Sequence, residues 1–140
     1  MKTILTFDYE IFFGSRSGTA KRCVIDPVNH LLKVFDNYNV KATFFVDVGH
    51  IVRAENLKCD VESVSKIKTQ LRNLVAHGHD VELHIHPHWI SADWINDSWV
   101  FDITHYKLAD LTKESASDLI NEYSTELRVI TGIKPIAYRA

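Results

Sequence analysis

Cysteine is scarce in this sequence: there are two, Cys23 and Cys59, far apart and in no metal-ligand spacing. A disulfide framework is therefore not suggested, and two free thiols fit a reducing compartment. Charge of one sign is not in excess. The formal net charge is -2 with histidines neutral, so no general attraction to nucleic acid or an anionic membrane is implied. No apolar run approaches the length of a membrane-spanning helix. The opening MKTILTFDYEIFF is interrupted by Asp8 and Glu10 and has no small-residue cleavage site, so it does not read as a signal peptide. A cytosolic location is the expectation. Internal repeats, low-complexity tracts and linkers are missing too. So is a glycine-rich phosphate loop: the first apolar strand is followed by single glycines, Gly14 and Gly18, which counts against a Rossmann reading.

What is present suffices for one α/β domain. The 140 residues can bury a sizeable core, with 46% hydrophobic and 24% charged residues. Apolar runs alternate with amphipathic segments. Residues 2–8 read as a buried strand. Residues 27–38 begin with Pro27 after Asp26, a helix start, and carry the stripe Leu31, Leu32, Phe35. Residues 41–47 are strand-like. Over 61–76, Val64, Ile67, Leu71, Leu74 and Val75 recur at helical intervals, with Gly78 beyond as the cap. Residues 80–85 form a third strand. A loop rich in tryptophan and aspartate is expected from about 87 to 110, a helix over 113–131 closed by Gly132, and a fourth strand over 134–139. Strands alternating with helices imply a parallel sheet, either a barrel or an open doubly wound sheet.

Eight histidines are unusual, and three of them fall in ELHIHPHWI: His84, His86 and His88. In parallel α/β proteins, chemistry gathers at the carboxyl ends of strands. The first strand ends in Asp8-Tyr9-Glu10, the second at Asp47 with His50 following, the third in the histidines, the fourth at Tyr138-Arg139. Asp8 and Glu10, two apart on a strand, share a face. An isolated D-x-E is most often a solvated strand terminus. This pair lies between an apolar strand and Ile11-Phe12-Phe13, where a half-buried carboxylate needs a metal or an arginine. Pro87 disfavours helical geometry at His86, so a turn beginning there would let His84 and His88 converge. Imidazoles with a carboxylate suit zinc or a similar divalent ion. His30 and His105, taken singly, read as ordinary histidines. Arg139 is placed to pair with Asp8. Trp89, Trp94 and Trp99 form either a platform for sugar rings or the packing of a long loop.

These motifs resemble the NodB-homology polysaccharide deacetylases, carbohydrate esterase family four. The first family motif is similar to Thr6-Phe7-Asp8-Tyr9-Glu10, in a D-x-E form with Tyr9 where two adjacent aspartates are usual. The second resembles His84-Ile85-His86-Pro87-His88, with Ile85 in place of a Ser/Thr hydroxyl; the third resembles Arg139-Ala140. GHDVELH and KATFFV are similar to the family's approach to the second motif and its second strand. The form ELHIHPHW resembles a branch associated with O-antigen and surface-polysaccharide synthesis.

The resemblance implies a distorted (β/α) barrel of about seven strands. Residues 1–140 would be a partial domain, its N-terminal portion of about four parallel strands. The last motifs, with the family's general-acid histidine, have no counterpart, which implies a missing C-terminal portion or a shortened homologue. A four-strand sheet would leave an open edge, so a marginal or homo-oligomeric chain is expected. The implied activity is metal-dependent removal of N-acetyl groups from a sugar or polysaccharide precursor. Glu10, His84 and His88 would hold a divalent ion such as zinc, Asp8 would act as base, Arg139 would orient it, and His86 and Trp89 would meet the substrate, with His86 a stand-in acid. Two other readings stay open: hydrolysis of cyclic amides, and a carbohydrate-binding module without catalysis.

Overall fold

The computed structural model describes residues 3–12 and 18–140. Lys2, at the expected start of the first strand, and Phe13 and Gly14 lie outside the described residues. Four parallel strands form the main sheet: β1 (Thr6–Tyr9), β2 (Thr43–Asp47), β3 (Asp80–His84) and β6 (Tyr138–Arg139), in the order β1-β2-β3-β6. The strands stand in sequence order. A doubly wound sheet reverses its order at the first strand, so this arrangement is that of a barrel segment. Helix α1 (Asp26–Tyr38) follows a wider helical turn at Lys21–Ile25; α2 (Val48–Leu57), α3 (Val61–Ala76) and α4 (Lys113–Thr131) complete the helices.

Successive right-handed crossovers in one direction place all the helices on one face of the sheet. The pleat agrees. Tyr9, Phe44, Val46, Val81 and Leu83 are buried toward the helices, and Phe7 stacks on Phe44 with ring centroids 5.5 Å apart. Leu71, Leu74 and Leu127 fill the space between α3, α4 and the sheet. Gln70 on α3 ties three elements together: it accepts from Tyr9 Oη at 2.7 Å and donates to Ile25 O and Asn29 Oδ1. The opposite face carries Thr6, Asp8, Thr43, Phe45, Asp80 and Glu82 by alternation, a polar surface.

Local chemistry accounts for most boundaries. Pro27 sits in the first turn of α1, Thr112 Oγ1 caps α4 by accepting from Ser115 N at 3.1 Å, and Gly132 ends it with φ 78°. Two regions escape a reading by periodicity. Helix α2 begins directly at the end of β2, and the apolar run through both hides the change of period. Inside the expected loop lie a 3-10 turn (Pro87–Ile90), an antiparallel hairpin of β4 (Asp93–Ile95) and β5 (Ser98–Val100), and a second 3-10 turn (Leu108–Asp110). Asn96 and Asp97, with φ 49° and 57°, form the two-residue turn whose twist matches a hairpin.

Candidate active site

The polar row at the carboxyl ends of the strands is assembled by sheet register. Asp47 stands beside His84, and His84 beside Arg139. Glu82 sets the last strand: its Oε2 accepts the backbone N–H of Ile136 at 2.8 Å and of Ala137 at 2.9 Å. Arg139 then reaches back across the polar face. Its guanidinium lies 4.2 Å from the centre of the Phe45 ring, donates to Thr6 Oγ1 at 3.1 Å and pairs with Asp8. The expected partnership of Asp8 and Arg139 is thus present, bridging the first and last strands of the sheet.

Just beyond β1, Glu10 turns toward the third strand. Its Oε2 lies 3.2 Å from His84 Nε2 and 2.9 Å from His86 Nε2. The chain stays extended through His86 (φ -123°, ψ 110°), so His84 and His86, two apart, present their rings together. The turn that starts at Pro87 sets His88 beside His86, ring centroids 5.3 Å apart, and into a cluster with Trp89, Phe101 and Tyr106. The expected ligands were Glu10, His84 and His88; in the structure ligand atoms of Glu10, His84 and His86 lie within 4.8 Å of one another, and among the described residues His88 is not in that group. Its ring is 1% exposed. The Nε2 of His86, expected to face the substrate, is turned to Glu10.

The donor set fits a divalent ion. His84 Nδ1 must donate to the Arg139 carbonyl at 3.0 Å, which fixes the tautomer and leaves Nε2 for a proton or a cation. Such a carbonyl bond behind a ligating imidazole is the usual second-shell support. One carboxylate oxygen and two imidazole nitrogens suit zinc. Hydrogen bonds from His84 and His86 pull the Glu10 carboxyl down to about 2, against a smaller push from burial. Burial works against a charge on His84, but the bonds to Glu10 and to the Arg139 carbonyl leave it above the ordinary imidazole range. The group opens into a cleft of about 550 Å³ lined by Asp8, Glu10, His84, His86, Tyr106 and Arg139. Tyr106, which the sequence did not single out, stacks on His86 with centroids 5.1 Å apart.

Trp89 is not at this surface. It is 1% exposed and its Nε1 donates to Asp47 Oδ2 at 2.6 Å, so its expected role as a substrate contact is corrected to core packing. Burial raises the Asp47 carboxyl to about 6, although Trp89 and the nearby histidines pull it down.

A family model described as polysaccharide deacetylase matches residues 2–140. The chain belongs to this family. Solved deacetylase structures share its fold. The peptidoglycan deacetylase PdaC from Bacillus subtilis aligns with TM-score 0.56 at 20% identity over 97% of this chain. A putative polysaccharide deacetylase from Mycobacterium smegmatis gives 0.57 at 17% over 98%. The catalytic domain of a peptidoglycan N-acetylglucosamine deacetylase from Eubacterium rectale gives 0.52 at 23% over 96%. At such identities the likeness shows the fold alone. The chain spans less than half the length of these structures, 46%, 42% and 43% in turn. No curated protein matches it. Within the deacetylase frame the sequential strand order is accounted for, and no helix among the described residues is long and apolar enough to cross a membrane.

Proposed function

We infer that the site serves metal-dependent hydrolysis of an N-acetyl group on a sugar or polysaccharide precursor. The observation that carries this reading is the convergence of Glu10, His84 and His86 beside the Asp8–Arg139 pair, at the strand ends of a polysaccharide deacetylase fold. Glu10, His84 and His86 would hold the ion, with zinc the best match to the donors. Bound there, it supplies Lewis acidity, polarising a carbonyl oxygen and acidifying water. Asp8 accepts the proton of the attacking water, a role worth roughly 10²–10⁴ in rate. Arg139, clamped over Phe45 and against Thr6, fixes the direction of that carboxylate. The ELHIHPHW form supports surface-polysaccharide precursors as the substrate class, and the names of the solved relatives support an acetylated amino sugar.

The test pairs calorimetric zinc titration with acetate release from N-acetylated hexosamine oligomers. Asp8→Asn should keep zinc affinity and lose turnover by at least roughly 100-fold. Glu10→Gln should lose zinc itself. Unchanged zinc binding in Glu10→Gln, or full turnover in Asp8→Asn, would refute the assignment.

A further inference from the structure

Residues 101–107 join β5 to the second 3-10 turn, and two local turns shape them. Thr104 N–H donates to Asp102 Oδ1 at 2.9 Å. Lys107 and Asp110 bond reciprocally: Lys107 N–H donates to Asp110 Oδ2 at 2.8 Å, and Asp110 N–H to the Lys107 carbonyl at 2.9 Å. Carboxylates that close turns on neighbouring backbone N–H groups fix local geometry without help from the sheet. Tyr106 stands between these two turns.

Both ends of the segment pack on the histidine turn. Phe101 stands edge-on to His88 and to Trp89, with centroids 5.0 Å from each. Tyr106 lies nearly flat on His86, centroids 5.1 Å and planes 19° apart, and on His88 at 5.8 Å and 14°. The same tyrosine lines the cleft that holds Glu10, His84 and His86.

The two imidazoles of the ion group are thus supported by different means. His84 is oriented by its Nδ1 bond to the Arg139 carbonyl. His86 has the Tyr106 ring against its face. At this separation and tilt the pair is an offset stack, a favoured arrangement of aromatic rings. An imidazole that gives its Nε2 lone pair to a cation becomes electron-poor, and the face of a phenol ring is electron-rich. The stack is therefore stronger with an ion bound than without one. A contact that is stronger in the loaded state adds that difference to affinity. The stack also holds the His86 rotamer before an ion arrives, which lowers the ordering cost of binding.

We propose that Tyr106 is a positioning residue for the metal site: its ring, set in place by residues 101–107, fixes and strengthens His86 as a ligand. The effect belongs to the ring and not to the hydroxyl. The inference rests on the reading of Glu10, His84 and His86 as the ligands. It gives the connection between β3 and α4 a task, bracing the turn that carries the imidazoles.

Zinc affinity is measured by calorimetry on the 140-residue chain, and the visible absorption of its cobalt(II) form reports ligand geometry. Tyr106→Phe keeps the ring and should stay within roughly twofold of wild type in affinity, with the same cobalt spectrum. Tyr106→Leu removes the ring and should weaken zinc roughly 10-fold, the low end of what a supporting partner of a ligand contributes. Its cobalt spectrum should change as well. A metal-free melt shows whether this variant folds. A measurement on the wild type serves if it does not: zinc should shift the ring-proton resonances of Tyr106, assigned by comparison with Tyr106→Phe. Wild-type affinity and an unchanged cobalt spectrum in Tyr106→Leu, or Tyr106 resonances indifferent to zinc, overturn the proposal. Equal losses in Tyr106→Phe and Tyr106→Leu overturn it too, by placing the effect in the hydroxyl. A wild type that binds no zinc brings down the ligand reading and this inference with it. Zinc lost in Glu10→Gln but kept in full by Tyr106→Leu removes the role of Tyr106 alone.

Discussion

At the scale of single residues, the choice between His86 and His88 decides the chemistry. His86 is presented to Glu10 by extended backbone; His88 is packed among aromatic rings by the turn after Pro87. Losing a supporting partner of a ligand costs 10–100-fold in metal affinity, so losing a ligand costs at least roughly 100-fold. His86→Asn is therefore expected to abolish zinc binding in calorimetry, and His88→Gln to retain it. His88 has a different consequence. Burial, with the charge of His86, pushes its imidazole down to about 4. The unfolded chain takes up that proton near the ordinary value of about 6.5, and the folded chain refuses it until about 4. The unfolded state thus binds more protons in this window, and stability falls as pH drops through it, by up to about 1.4 kcal/mol per pH unit. Asp47, held up to about 6, acts in the opposite sense between the ordinary carboxylate range and that value. The difference between wild type and His88→Gln isolates the histidine: denaturant unfolding at pH 4.5 and 7 should show the variant less sensitive to acid. Equal sensitivity would mean that the buried ring is not the cause.

At the scale of elements, α2 shows how packing overrides propensity. Gly49 lies in its first turn, where a helix interior would gain about 1 kcal/mol from alanine. A Cβ there would stand 2.7 Å from Trp89 Cδ1 and 2.8 Å from its Cβ. Trp89 cannot move aside freely, because its indole is bound to Asp47 and wedged against Trp99 and Phe101. Overpacking costs roughly 1–3 kcal/mol. Gly49→Ala should therefore lower the unfolding free energy by about 1–2 kcal/mol in urea melts, the reverse of the propensity effect. A more stable variant would show that Trp89 has room. The elements differ in legibility for physical reasons. α3 and α4 occupy the residues that periodicity marks, because each has a glycine just beyond its end and a clean apolar stripe. α2 has neither, since it is buried on several sides and follows a strand without a break. The hairpin had a legible turn in Asn96-Asp97, but three-residue strands are too short to show alternation.

At the scale of the molecule, the sheet is a barrel segment with two edges, β1 and β6. Near the latter, Ile136 is 92% exposed and Tyr138 57%. Open edges beside exposed apolar side chains favour association. The 140-residue chain should show concentration-dependent self-association in sedimentation velocity; a single monomeric species across a wide concentration range would contradict this. Zinc at about 100 times its dissociation constant should add about 2.7 kcal/mol of stability and raise the melting temperature by on the order of 8 °C, reversed by a chelator. An unchanged melt would argue against a folded-state metal site.

Sequence alone determined the alternation of the four main strands with α1, α3 and α4, the parallel character of the sheet and the gathering of acid and imidazole groups at strand ends. These follow from short-range spacing, which any extended or helical backbone obeys. Tertiary structure decided which of those groups meet. Glu10 and His86 are 76 residues apart, Asp8 and Arg139 131. Their contact depends on strand register and on the turn at Pro87, and so does the burial of Trp89 over Gly49. Spacing along the chain sets the face a side chain takes; only the docking of one strand or helix on another sets its partner.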